Sequence, residues 1–214
     1  MNLSLYVITD ETISGGKSHE EIARLAIAGG ADVIQLRDKR CNCRELVITG
    51  RRLAALARET GTLFIVNDRL DIALACGAGG VHLGQDDLCA GTARQLSPPG
   101  FIIGVSVGSA GEAEVAEREG ADYVAVSPVF DTGSKIDAGP GYGLFTLREI
   151  TGRVSIPVIA IGGINESNAA DVIMAGAEGI AVISAVVADP DIQAAAGRMK
   201  RLIAESGKMH AQPR

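Results

Sequence analysis

The sequence predicts a single-domain α/β fold, a closed (β/α)8 TIM barrel. Three observations carry that reading. First, a motif recurs four times: AGGADVIQLR (28–37), ACGAGGVHLG (75–84), REGADYVAVS (118–127) and MAGAEGIAVI (174–183). In each, a helix-like pattern ends in Gly-Ala and passes into a short apolar run. Glycine after a helix supplies the left-handed turn that lets the chain reverse into a strand. Second, the Gly-Ala pairs begin at 30, 77, 120 and 176, and each gap is wide enough for two strand-helix units. The apolar runs LSLYVIT (3–9), TLFIVN (62–67), FIIGVS (101–106) and PVIAIGG (157–163) supply the intervening strands, for eight in all. Third, the runs are nearly continuous rather than alternating, as expected of parallel strands buried on both faces. An open doubly wound sheet competes, but the regular repeat and the eight strands favour closure.

The elements follow in order. MNLSLYVITD has no basic leader and no clear cleavage site, so it reads as the first strand rather than a signal peptide. Residues 20–28 and 44–59 carry apolar side chains at helical spacing, as do 111–119 and 167–175. No linker or low-complexity tract divides the chain. The barrel is therefore assigned to 1–205, and the polar segment 206–214, SGKMHAQPR, to a flexible tail.

Hydrophobic residues make up 47% of the chain and aromatics 3%, with no Trp, so Ala, Val, Ile and Leu must fill the core. The net charge of −6 argues against the basic footprint of a nucleic-acid binder, and leaves anionic small molecules open as substrates. No apolar run approaches a membrane span. Cys41, Cys43, Cys76 and Cys89 match no common zinc spacing, which suits a cytoplasmic setting with reduced thiols. A homo-oligomer is left open.

In such barrels the active site lies at the C-terminal strand ends. There stand Thr9 and Asp10; then Gln35, Arg37 and Lys39; then Asn67 and Asp68. Further on come His82 with Gly84, Gln85, Asp86 and Asp87, then Ser106, then Gly162 and Gly163, then Ile183 and Ser184. The Gly-rich loop SPVFDTGSKIDAGPGYG (127–143) follows the sixth run and brings Lys135. Carboxylates Asp68 and Asp87 from neighbouring strands suit a shared hard cation such as Mg2+, with phosphate oxygens completing its shell. Arg37, Lys39 and Lys135 would meet the remaining phosphate charge. Backbone amides near Gly163 and Ser184 suit a monophosphate. Plainer readings stand beside these. Asp68 could cap a helix, Arg37 and Lys39 could be a solvated pair, His82 could be a packed core residue, and Asp10 could be a cap.

IQLRDK (34–39), IVNDRLDIAL (65–74), GVHLGQDDL (80–88), IIGVS (102–106) and AIGGI (160–164) together resemble the thiamine-phosphate synthase family, and the likeness runs from residue 5 to 186. The resemblance implies a transferase that condenses 4-amino-2-methyl-5-hydroxymethylpyrimidine diphosphate with 4-methyl-5-(2-phosphoethyl)thiazole, forming thiamine phosphate and releasing pyrophosphate. It implies that Gln35, Arg37, Lys39 and Asn67 hold the pyrimidine diphosphate and that Asp68 and Asp87 bind Mg2+. Ser106 and Lys135 would touch the diphosphate. Thr132, Ser134, Gly163, Ile183 and Ser184 would lie by the thiazole phosphate. Ser106, Arg37 and Lys135 are the implied catalytic groups. The loop departs from the family pattern at Asp131, where Pro is frequent, and at Ile136, where a second Lys is frequent; Ser134 keeps the hydroxyl of a common Thr. The related thiazole tautomerase and a non-catalytic precursor-binding barrel are the alternatives. The acidic and basic set argues against the tautomerase, and the altered loop motivates the binding barrel.

Overall fold

A computed structural model describes residues 1–134 and 139–210, with the side chains of 209 and 210 left aside. Eight parallel strands close into a barrel in sequence order. They are β1 (Leu5–Thr9), β2 (Val33–Leu36), β3 (Leu63–Asn67), β4 (Gly80–Leu83), β5 (Ile102–Val107), β6 (Tyr123–Val126), β7 (Val158–Ile161) and β8 (Gly179–Val182). Around them lie α1 (His19–Ala28), α2 (Cys43–Thr60), α3 (Leu70–Cys76), α4 (Ala90–Leu96), α5 (Ala110–Arg118), α6 (Gly143–Thr151), α7 (Ala169–Met174), α8 (Ser184–Val187) and α9 (Ile192–His210). The barrel closes where β1 pairs with β8, Tyr6 beside Ala181.

The repeated Gly-Ala pairs have the physical role expected of them. Gly30, Gly77, Gly120 and Gly176 have φ of 99°, 73°, 90° and 103°, a region costly for any residue with a Cβ. The following alanine amide then bonds to the carbonyl five residues back: Ala31 to Ala26 at 3.0 Å, Ala78 to Ala73 at 2.9 Å, Ala121 to Ala116 at 3.0 Å, and Ala177 to Val172 at 3.4 Å. This is one Schellman closure used four times. After two of them an aspartate ties down a neighbouring strand. Asp32 accepts from the Leu5 amide at 2.8 Å, and Asp122 accepts from the Ile103 amide at 2.7 Å.

Every strand but β4 feeds two hydrophobic cores. Leu5, Val7, Ile34 and Leu36 face the helices, while Tyr6, Ile8, Val33 and Ile65 belong to the barrel interior. Successive side chains point to opposite faces, so the split follows residue parity. Tyr123 joins the interior because β5 offers Gly104 directly beside it. A Cβ at Gly104 would lie 2.0 Å from Tyr123 Cζ.

One boundary differs from expectation. The segment from 206, expected as a tail, is helical as far as it is described: α9 continues through Ser206 to His210, and the Ser206 hydroxyl donates to Leu202 O at 2.8 Å. Ser206 is buried, so its short polar side chain turns back on the helix instead of ending it.

Gly104→Ala is expected to lose about 2 kcal/mol of stability by overpacking. Gly111→Ala, in α5 with open space around it, should be neutral or slightly stabilising. Urea unfolding of both variants checks this, and equal losses would contradict the packing of Tyr123 against Gly104.

Candidate active site

The described residues expected at the site line one pocket at the C-terminal strand ends: Gln35, Arg37, Lys39, Asn67, Asp68, Asp87, Ser106, Thr132, Ser134, Gly163, Ile183 and Ser184. Lys135 and Ile136 lie outside the described residues.

The β2 side is built from its strand outward. Gln35 is buried and donates from Nε2 to Tyr6 Oη at 2.7 Å. Arg37 and Lys39 flank Asp38, which shapes the turn beyond the strand. Its Oδ1 accepts from the Arg40 amide at 2.7 Å and the Cys41 amide at 3.1 Å, and its Oδ2 faces His19 Nε2 at 3.4 Å. Burial opposes ionisation of Asp38, but hydrogen bonds from the Cys41 thiol and these amides prevail and hold its carboxyl at about 2. Glu11 joins His19 and Asp38 in a cluster whose ligand atoms lie within 4.8 Å of one another. The cluster is braced from inside the fold, because His19 Nδ1 meets Thr9 Oγ1 at 2.7 Å and Thr9 donates to Gln35 O at 3.1 Å. Nothing in the local sequence marks this bracing, since its members come from three separate segments.

The acidic side joins β3 to β4. Asp68 has φ of 62°, a conformation that aspartate tolerates better than most residues. Its amide donates to His82 O at 2.7 Å, extending the β3–β4 ladder by one bond before the chain turns into α3. Arg69, not Asp68, occupies the cap position of α3, without a side-chain cap bond, and the helix-cap reading of Asp68 does not hold. Asp87 Oδ2 accepts from the Gly84 amide at 2.7 Å. Burial pushes the Asp68 carboxyl up to about 6, the charge of Asp87 and a hydrogen bond with it add to that, and Lys39 and Arg37 partly offset it. Asp10 caps a turn rather than a helix: its Oδ1 accepts from the amides of Thr12 and Ile13, both at 2.9 Å, while Ser18 caps α1.

The far side is made of glycines and hydroxyls. Gly162 and Gly163 have φ of 99° and 63°, and residues 128–131 pack directly against them. A Cβ on Gly162 would lie 2.4 Å from Pro128 Cβ, and one on Gly163 would lie 2.6 Å from Asp131 O. Ser134 Oγ donates to Ser184 Oγ at 3.1 Å, linking the loop after β6 to the start of α8. Asp131 accepts from the Gly141 amide at 2.9 Å, so the residue that departs from the family pattern fastens the two ends of its loop together.

Two residues of the buried polar network under the pocket were not legible as such: Tyr6, which lines the pocket, and Tyr123, which lies behind it, both essentially inaccessible. Their signal is sparse but real, since two of the chain's three tyrosines fall within strand runs that are otherwise mainly aliphatic. His82 is the packed core histidine considered above. Its Nδ1 lies 2.9 Å from Tyr123 Oη, and its Nε2 lies 2.9 Å from Ser106 Oγ.

The family model described as thiamine monophosphate synthase matches residues 5–186. A thiamine-phosphate synthase of Methanoregula boonei is 60% identical, covering 100% of this chain and 99% of its own. One from Methanoculleus marisnigri is 59% identical, covering 95% and 97% respectively. A solved thiamine phosphate pyrophosphorylase from Pyrococcus furiosus superposes with a TM-score of 0.89 at 44% identity, covering 96% of this chain and 97% of that one.

The carboxylate pair gives a stability prediction for metal-free protein. Asp68 titrates higher in the folded state than in the unfolded chain, so its ionisation opposes folding. The opposition is absent below about pH 4, where both states are protonated, and complete above about pH 6 to 7. Asp68→Asn keeps a side chain suited to positive φ and removes that charge. In chelator at pH 8 it should gain on the order of 1 kcal/mol, after allowance for solvent screening, and the gain should vanish near pH 3. Thermal unfolding at the two pH values checks this.

Proposed function

The chain belongs to the thiamine monophosphate synthase family, and from that premise we propose that it joins a hydroxymethylpyrimidine diphosphate to a thiazole phosphate, giving thiamine phosphate and pyrophosphate. The observation that carries the reading is the division of one pocket into a charged half at β2–β4 and a half of hydroxyls and glycines at β6–β8. The first suits a metal-assisted diphosphate and the second a monophosphate.

Asp68 and Asp87 fit a magnesium ion because two carboxylates in contact, one of them resisting ionisation, form an oxygen donor set with excess negative charge. Bound there, Mg2+ would offset the charge that grows on the departing pyrophosphate. Arg37, Lys39, Ser106 and Lys135 would hold the diphosphate oxygens, and Gln35 and Asn67 the pyrimidine. Thr132, Ser134, Gly163, Ile183 and Ser184 would seat the thiazole phosphate. The methylene C–O bond breaks and its electron pair leaves with pyrophosphate. The thiazole nitrogen then donates its lone pair to that carbon, and the new C–N bond leaves the positive charge on the ring. No proton has to be removed by the protein, so catalysis rests on electrostatics and on holding the partners close. Ile8, Ile161 and Ile183 line the pocket and favour exclusion of water from the cation.

Purified protein supplied with both substrates and Mg2+ should release pyrophosphate. Absence of release, with thiamine phosphate still bound, would instead identify a binding module. Asp68→Ala and Asp87→Ala should each lower turnover by about a hundredfold, partly restored by high Mg2+; wild-type rates in either would overturn the metal assignment. Lys135→Ala should lower turnover while leaving thermal unfolding nearly unchanged.

A further inference from the structure

Five side chains from five strands form one hydrogen-bonded chain across the barrel beneath the pocket. Gln35 Nε2 is 2.7 Å from Tyr6 Oη, which is 3.1 Å from Tyr123 Oη. Tyr123 Oη is 2.9 Å from His82 Nδ1, and His82 Nε2 is 2.9 Å from Ser106 Oγ. The first four side chains are at most 9% exposed, and Ser106 opens onto the pocket.

The chemistry of the first member fixes the direction of the rest. An amide nitrogen only donates, so Tyr6 Oη accepts from Gln35. Tyr6 carries one proton, and its other partner is Tyr123 Oη, so it donates there. The Tyr123 proton then goes to His82 Nδ1. A neutral imidazole that accepts at Nδ1 carries its proton on Nε2 and donates it to Ser106 Oγ. The reverse direction would aim the Tyr6 proton at the protons of the Gln35 amide. That leaves a buried donor without an acceptor, at a penalty of about 1–3 kcal/mol. Burial holds both tyrosine hydroxyls above their ordinary range, so both keep their protons at neutral pH. Gly104 makes the path possible, because it stands in register between His82 and Tyr123 and leaves room for the ring.

We propose that Gln35, acting through Tyr6, Tyr123 and His82, sets the direction of this relay so that Ser106 accepts from within the protein and presents its own proton to the ligand. Tyr6, Tyr123 and His82 are then positioning residues. The consequence for the reaction rests on the proposed function: Ser106 is a donor matched to an acceptor such as a diphosphate oxygen, and its bond strengthens as negative charge gathers there. A relay of opposite direction would present a Ser106 lone pair to the same oxygen.

The tautomer of His82 reports the direction. Histidine-labelled protein without substrates, near pH 8, should show by 15N NMR a neutral His82 with its proton on Nε2. A proton on Nδ1, or on both nitrogens, overturns the proposal. Gln35→Glu replaces the donor with an ionised acceptor and should move the His82 proton to Nδ1; an unchanged tautomer in folded variant would show that Gln35 does not set the direction. Tyr123→Phe interrupts the relay while keeping the ring, and should lower kcat about tenfold with KM for the thiazole phosphate changed less than about twofold. Unchanged kcat would overturn the positioning role. The tautomer is read in the free protein, so it is decided separately from whether the chain condenses these substrates.

Discussion

Closure of the barrel is the constraint on which the other features depend. With β1 paired to both β2 and β8, the sheet has no edge, and each strand residue faces either the helices or a narrow interior. Tyr6 and Tyr123 occupy much of that interior, and glycines make room for the close packing. A Cβ at Gly80, Gly104 or Gly179 would lie 2.3, 2.0 or 2.0 Å from a neighbouring atom. A buried tyrosine hydroxyl needs a partner. Both hydroxyls find theirs within the barrel, and among the described residues no buried side-chain nitrogen or oxygen lacks a hydrogen bond.

The character of the pocket follows from the order of the strands. Gln35, Asn67, His82 and Ser106 all lie near the ends of β2, β3, β4 and β5. These strands are consecutive neighbours, so the charged residues that follow the first three of them are neighbours too. The remaining strands offer glycines with positive φ, and hydroxyls from the loop after β6 and the start of α8. Sequence order thus separates two kinds of anion contact around a single rim.

Much of this was legible in the sequence because it is local or periodic. The four Gly-Ala closures announce themselves by residue type at a fixed place, and eight apolar runs then require eight strands. The rim residues were legible because they follow those runs directly. Other features depend on meetings between distant segments. Gly104 reads as an ordinary strand glycine until Tyr123 is beside it. The bracing of the β2 turn by His19 joins residues with no shared pattern. Asp131 reads as an intrusive charge, yet it has an amide partner across its loop. That α9 runs past Ser206 was not legible, because composition marks polarity but does not show that Ser206 is buried.

The clamp at the base of the loop after β6 has an evolutionary consequence. Asp131 holds Gly141, while the amides of Tyr142 and Gly143 bond to Pro128 O and Val129 O at 2.9 and 2.8 Å. These anchors bring the two ends of the loop together on the barrel. Closing such a span depends only weakly on its length, by about 0.6 kcal/mol for each doubling. Insertions, deletions or a transplanted segment can therefore be sampled there with little disturbance to the strands below, which makes this loop a natural site for divergence of specificity on an inherited barrel.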